Sequence, residues 1–284
     1  IALAALYADP MDILFILPAD QVILDGQAFC DSVRRALDLA ELDHLVTMGI
    51  TPKLPHTGYG YIRAGEPAGE GFKIAEFVEK PDLTTAENYV TNGDYYWNSG
   101  MFLFKAARYL SELREFRPEI LEACQKAYEL STNKENVIKV DKAEFEKCPS
   151  ESIDYAVMEN TKDAVMVGLD ANWDDVGSWK SLRDIQAQDA NGNVVAGDVV
   201  TSNTRNSYIR ASEKLVVALG LDNQIVIDTK DALLVADVAD ELGRCDFTVV
   251  PWPAQPVDVA RSWATLSQTE LDRGASETTR LRIG

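Results

Sequence analysis

Histidine is scarce in this chain: only His44 and His56 occur among 284 residues, and no cysteine stands close to either. The four cysteines, Cys30, Cys124, Cys148 and Cys245, are scattered without a C-x-x-C pair. Closely spaced His and Cys ligands of the kind that hold zinc are therefore missing, and reduced thiols in a cytoplasmic protein are the expectation. Long apolar runs are missing too; none approaches the roughly 20 residues a membrane helix needs. Basic residues are outnumbered, 27 Lys and Arg against 46 Asp and Glu, for a formal charge of -19. That balance disfavours nucleic acid and anionic membrane surfaces as partners. The chain opens on Ile-Ala-Leu-Ala-Ala-Leu with neither an initiator methionine nor a basic stretch, so it does not read as a signal peptide. It reads as a chain whose true start is missing.

What is present, 46% hydrophobic and 26% charged residues, suits a globular protein able to bury a full core, with one large domain and a smaller one. An anionic ligand would need local help on so acidic a chain. For phosphates that help is usually a divalent cation held by carboxylates, with one or two lysines.

The central stretch is Trp97-Asn98-Ser99-Gly100-Met101-Phe102-Leu103-Phe104, a polar step leading into an apolar run of strand length. It reads as a buried strand entered from a polar lip. Residues 12–17 form a second apolar run, ending in Pro18-Ala19-Asp20, as a central parallel strand would if it delivered a carboxylate to a sheet edge. Asp20 is thus placed like a ligand, and equally like a turn or cap residue. Phe29, Val33, Ala36, Leu37 and Ala40 recur at helical spacing behind Asp25 and Gly26, and 44–50 reads as a strand. Gly58-Tyr59-Gly60-Tyr61-Ile62 allows a close backbone approach. The alternating run 72–78 then returns to Glu79-Lys80-Pro81, where carboxylate and ammonium could meet sugar hydroxyls and a phosphate, or simply each other in solvent.

Two helices, broken at Arg117-Pro118, are expected between 105 and 130, and 133–148 is charged and peripheral. A helix capped by Ser150 or Ser152 is expected from Ser152 to Glu159, with Asp154 favourable to its dipole. Residues 164–169 read as a buried strand leading to Trp173-Asp174-Asp175-Val176-Gly177-Ser178-Trp179, whose aspartates could cap a helix or hold a metal. From 189 to 236 short β-rich pieces alternate with Gly, Asn and Asp turns, as in a coil of parallel strands, and 237–284 is expected to be an irregular tail.

Taken together, Leu17-Pro18-Ala19-Asp20, Gly58 to Ile62, Phe77-Val78-Glu79-Lys80-Pro81, Trp97 to Phe102, Ser152 to Glu159 and Trp173 to Trp179 closely resemble the mannose-1-phosphate guanylyltransferases, in order and spacing. The resemblance implies an α/β fold, in which a Rossmann-like mixed-sheet nucleotidyltransferase domain (1–188) precedes a small β-helix-like domain (189–236). It implies transfer of GMP from GTP to mannose 1-phosphate with release of pyrophosphate, by in-line attack in which placement and charge neutralisation matter most. Carried over by motif, Asp20 and Asp175 would hold Mg²⁺, Glu79 and Asn98 would contact sugar hydroxyls, Lys80 would face the sugar phosphate, and the Gly60 backbone would lie against the sugar. By family analogy the β-rich segment would make a homodimer contact.

Three departures accompany the resemblance. Nothing before Asp12 matches the family's Gly-rich, Arg-containing phosphate loop, so this chain is expected to be inactive or nearly so as it stands. Gln21 stands where relatives commonly carry His. Residues 237–284 show neither the histidines nor the strands of the isomerase domain found in many relatives, so no isomerase activity is expected. Two other readings stay open: a nucleotidyltransferase for a different hexose 1-phosphate, and a non-catalytic sugar-nucleotide-binding subunit.

Overall fold

The computed structural model describes residues 1–134 and 137–239, with two further short strands, Phe247–Val249 and Thr279–Leu281. The chain divides into two compact units, Ile1–Trp173 and Asp174–Gly284. Among the described residues no helix is long and apolar enough to cross a membrane.

In the first unit the order is α1 (Ala2–Tyr7), β1 (Ile13–Ile16), β2 (Val22–Ile23), α2 (Gly26–Glu41), β3 (Leu45–Ile50), β4 (Tyr61–Ala68), β5 (Gly71–Val78), α3 (Leu83–Asn92) and β6 (Tyr95–Lys105). It continues through α4 (Ala106–Phe116), α5 (Pro118–Glu129), β7 (Thr132–Lys134), β8 (Val137–Lys139), α6 (Lys142–Phe145), a π-helical turn (Asp154–Met158) and β9 (Ala164–Gly168). The sheet order is β1-β6-β3-β9-β5-β4, and β4 also pairs with the start of β6, so five of the strands form a closed circuit.

β6 is the strand on which this sheet turns. Its second half pairs with β1, its first half with β4, and its other edge with β3, all antiparallel. Side chains alternate across a strand, and here both faces are covered: Met101 and Leu103 enter one apolar cluster, Phe102 and Phe104 the other. That two-sided burial is why the sequence shows a continuous apolar run rather than alternation. All four are at most 2% exposed, and each contributes about 1.5–3 kcal/mol of transfer free energy.

β1 differs from the expectation. It runs in the same direction as β3, but it lies at the sheet's edge and its neighbour β6 is antiparallel. An apolar run reports burial of side chains, and says nothing about which strand lies alongside. The helices follow their signals more closely. The Asp25 carboxylate accepts from the backbone N–H groups of Gln27 and Ala28, capping α2, which buries Ser32, Ala36, Leu39 and Ala40. Pro118 ends one helix and occupies the first turn of the next, giving α4 and α5 on either side of Arg117. The expected capped helix after Ser152 is instead the π-helical turn, with no side-chain cap.

After β10 (Trp173–Asp174), the second unit contains α7 (Trp179–Asp184), β11 (Val194–Ala196), β12 (Val199–Ser202), β13 (Tyr208–Ala211), β14 (Val216–Leu219), β15 (Gln224–Asp228) and β16 (Leu233–Asp237). β11, β13 and β15 stack in parallel, as do β12 and β14, and β16 closes the stack antiparallel to β15. Asn203, Asn206 and Asn223 adopt left-handed φ of 51°, 51° and 56° at the corners, a conformation asparagine tolerates well. The buried Asn193 donates to the Thr204 carbonyl and accepts from the Ser207 N–H, tying successive turns together. β17 (Phe247–Val249) and β18 (Thr279–Leu281) pair antiparallel; apart from them the expected tail lies, from residue 240 on, outside the described residues.

Candidate active site

β1 and β3 run toward the edge from which β6 starts, so the chain leaving β1 and the polar lip of β6 meet there. Along β6, Asn98 is flanked by Gly60: the Asn98 N–H donates to the Gly60 carbonyl at 2.8 Å. A Cβ on Gly60 would run into the Glu79 carboxylate and come 3.3 Å from Asn98 Cβ, so glycine is what lets the three residues converge. Glu79 follows the end of β5 with its side chain 12% exposed, and Lys80 Nζ lies 3.5 Å from its Oε1. Lys80 itself is exposed and has φ of 50°.

Sequence reasoning missed the partner that orients Asn98. The side-chain amide of Asn98 donates to Asp154 Oδ1 at 2.8 Å, and its own Oδ1 accepts from the Gly100 N–H at 3.1 Å. Asp154 was expected to serve a helix dipole; the π-helical turn places it opposite β6 instead. Single-turn π-bulges often occur at functional sites, but nothing in the sequence specifies one. Burial pushes the Glu79 carboxyl above its ordinary range, Asp154 adds to this, and Lys80 works in the opposite direction. Burial followed by Asp154 also raises Glu159.

Asp20 is exposed just beyond β1. Its neighbour Gln21 bridges two motifs: Nε2 donates to the Ser99 carbonyl at 2.7 Å, and Oε1 accepts from the Trp173 indole N–H at 2.8 Å. The Leu17–Gln21 segment and Gly60 therefore both abut Asn98–Gly100. An aromatic wall completes this region. The His56 ring stacks on Tyr59 with centroids 3.9 Å apart, and Trp97 and Trp173 meet Tyr59 edge-on at 5.0 and 5.6 Å. His56 had carried no signal in the sequence.

Thus the structure brings Gly60, Glu79, Lys80 and Asn98 together, with Asp20 one residue from the bridge to Ser99. Asp175 belongs to the second unit, where one of its oxygens accepts from the Gly177 N–H at 3.2 Å. Asp174 accepts from the Val176 N–H at 2.7 Å, and burial raises its carboxyl. The cap of α7 is Ser178 rather than either aspartate. Val176 has φ of 51°, an outlier for a β-branched residue and a sign of a constrained turn. A cavity of about 450 Å³, walled by Asp31, Ser32 and Arg35 of α2 and by Thr51, Gly168 and Asp170, includes none of the expected site residues.

Chemically, the cluster offers a carboxylate and a fixed amide for hydroxyl groups, an ammonium for an anion, and an exposed carboxylate for a hard cation. Among the described residues no three or more His, Cys, Asp or Glu side chains form a ready-made metal cage.

Residues 1–192 match the family described as nucleotidyl transferase, and 197–240 match the MannoseP isomerase/GMP-like beta-helix domain. The mannose-1-phosphate guanylyltransferase of Escherichia coli strain K12 is 54% identical over 249 residues, covering 84% of this chain and 52% of that protein. The chain thus spans about half the length of the curated relatives it matches. A solved mannose-1-phosphate geranyltransferase from Thermus thermophilus is 31% identical with a TM-score of 0.73, covering 84% of this chain and 68% of that one. A mannose-6-phosphate isomerase from Helicobacter pylori is 34% identical with a TM-score of 0.57, covering 61% of this chain and 68% of that one.

Proposed function

Because this chain belongs to the nucleotidyl transferase family, we propose that it binds mannose 1-phosphate beside Asn98 and serves the transfer of GMP from GTP to that sugar phosphate. The products are GDP-mannose and pyrophosphate, and the setting is cytoplasmic. The observation that carries the reading is the convergence of Gly60, Glu79 and Asn98, with Asp154 holding the Asn98 amide.

Glu79 and Asn98 contact sugar hydroxyls, and the Gly60 backbone lies against the ring. Lys80 faces the sugar phosphate, whose charge would otherwise be repelled by a chain of net charge -19. These contacts would place the attacking phosphate oxygen of the sugar phosphate, and placement is the larger part of catalysis in phosphoryl chemistry. The donor set also fits Mg²⁺. Oxygen donors suit a hard cation, and two carboxylates with the remaining ligands supplied by phosphates and water is its usual arrangement. Asp20 would offer it a carboxylate, and when bound it would supply neutralisation of phosphate charge.

Calorimetry of the chain against mannose 1-phosphate, glucose 1-phosphate and GDP-mannose tests the reading. Mannose 1-phosphate and GDP-mannose should bind, glucose 1-phosphate should bind at least ten times more weakly (about 1.4 kcal/mol), and Asn98→Ala should abolish the difference. Equal binding of the two sugar phosphates to the unmodified chain would refute the mannose assignment.

A further inference from the structure

Cys124 and Cys148 stand apart from every feature used so far. Cys124 is on α5 and 3% exposed within the cluster formed by α1, α4 and α5; Cys148 is half-buried in the irregular segment after α6 and packs on the same cluster. Their Sγ atoms are 3.9 Å apart although 24 positions separate them in the chain. Both ends of the Cys148 segment are pinned against the helices that bear Cys124. The Asp141 N–H donates to the Ala127 carbonyl at 2.9 Å, and Arg117 grips Glu151 through two hydrogen bonds of 2.7 and 2.8 Å. The thiols are therefore held as neighbours by structure on either side, and their proximity does not depend on a flexible encounter.

We infer that Cys124 and Cys148 form a reversible disulfide when the chain meets a two-electron oxidant such as hydrogen peroxide. The bond requires about 2.05 Å between sulfurs, so roughly 2 Å must be closed. Cys148 lies in neither helix nor strand, and a side-chain rotation with a small backbone shift suffices. Cys148 is the more accessible thiol, whereas burial first, and the neighbouring Cys148 second, push Cys124 up to about 11. Cys148 sulfur accordingly attacks the peroxide first, giving a sulfenic acid and one water. Cys124 sulfur then displaces the sulfenic hydroxyl, which leaves as a second water carrying the Cys124 proton. Two thiols have lost two electrons and two protons, and peroxide has been reduced to two waters. A reducing thiol restores the pair.

The disulfide would brace α5 to the segment that runs through Glu151 into Asp154, the partner of Asn98. Treating the folded chain with peroxide, blocking free thiols, and mapping peptides without reduction gives the test. The expected result is a Cys124–Cys148 cross-linked peptide, reversed by dithiothreitol and absent from Cys124→Ala and Cys148→Ser, with unchanged far-ultraviolet circular dichroism. The oxidised chain should also melt roughly 5 °C or more above the reduced one. Survival of both thiols, advance of Cys148 to a sulfinic acid, or preferential linkage to Cys30 or Cys245 would each overturn the inference. Because Cys148→Ser alters only a half-buried position, a folding failure of Cys124→Ala leaves the test intact.

Discussion

Replacing Gln21 by alanine should cost stability out of proportion to the atoms removed, because one side-chain amide satisfies a donor and an acceptor on different segments. Trp173, whose indole N–H it accepts from, is 9% exposed, and Ser99, to whose carbonyl it donates, is 1% exposed. An orphaned buried donor costs about 1–3 kcal/mol, and the loss of an ordinary hydrogen bond about 0.5–1.5 kcal/mol. Gln21 is only half-buried, so water can enter the vacated space and recover part of this. A net loss of about 2 kcal/mol follows. With a urea dependence of ~2 kcal/mol per molar, the unfolding midpoint read by tryptophan fluorescence should fall by roughly 1 M. Gln21→His sharpens the experiment. Neutral imidazole offers one donor and one acceptor and can rebuild the bridge, but imidazolium has no acceptor for the indole. Its folded pKa should therefore lie below the unfolded value near 6.5, so its stability is retained at higher pH and lost as pH falls through that range. A Gln21→Ala midpoint equal to that of the unmodified chain, or a Gln21→His variant insensitive to pH between about 5 and 8, would refute the bridge.

Asp154→Ala frees the Asn98 amide and should weaken mannose 1-phosphate binding about 10- to 100-fold (about 1.4–2.8 kcal/mol) in calorimetry, with the fold retained. Gly60→Ala should displace Glu79 and reduce the same binding at least as much, while an alanine at Gly93, whose Cβ would meet open space, should cost only the strain of its left-handed φ of 78° in thermal unfolding. Glu79→Gln should raise the thermal midpoint at neutral pH. The raised carboxyl of Glu79 favours folding when protonated at low pH, and that contribution is lost as pH rises through its folded value; the advantage of the glutamine should therefore shrink on acidification.

Much of the layout was legible because it depends on local rules. The Arg117-Pro118 break, the Asp25 cap, the two-sided burial of Met101–Phe104 and the Asn-rich corners after 189 all follow from backbone donors, side-chain period or tolerated φ. What was not legible depends on neighbours. The apolar run of β1 could not reveal an edge position beside an antiparallel partner. Gly60, Glu79 and Asn98 were found through motifs, but the physical reason they converge, the absence of a Cβ at Gly60, needs the coordinates. Gln21 was visible only as a departure, since its two hydrogen bonds reach 78 and 152 positions along the chain.

The π-helical turn has an implication for how this segment tolerates change in length. The Glu159 N–H reaches back five residues to the Asp154 carbonyl, so the turn holds one residue more than an α-turn would. Losing a single codon there, even that of exposed Tyr155, would rotate Asp154 by roughly 100° against the anchored Ala156, Val157 and Met158. Point substitutions at Tyr155 should be absorbed freely, whereas an indel of one residue should swing the carboxylate off Asn98 while leaving the apolar anchors in place.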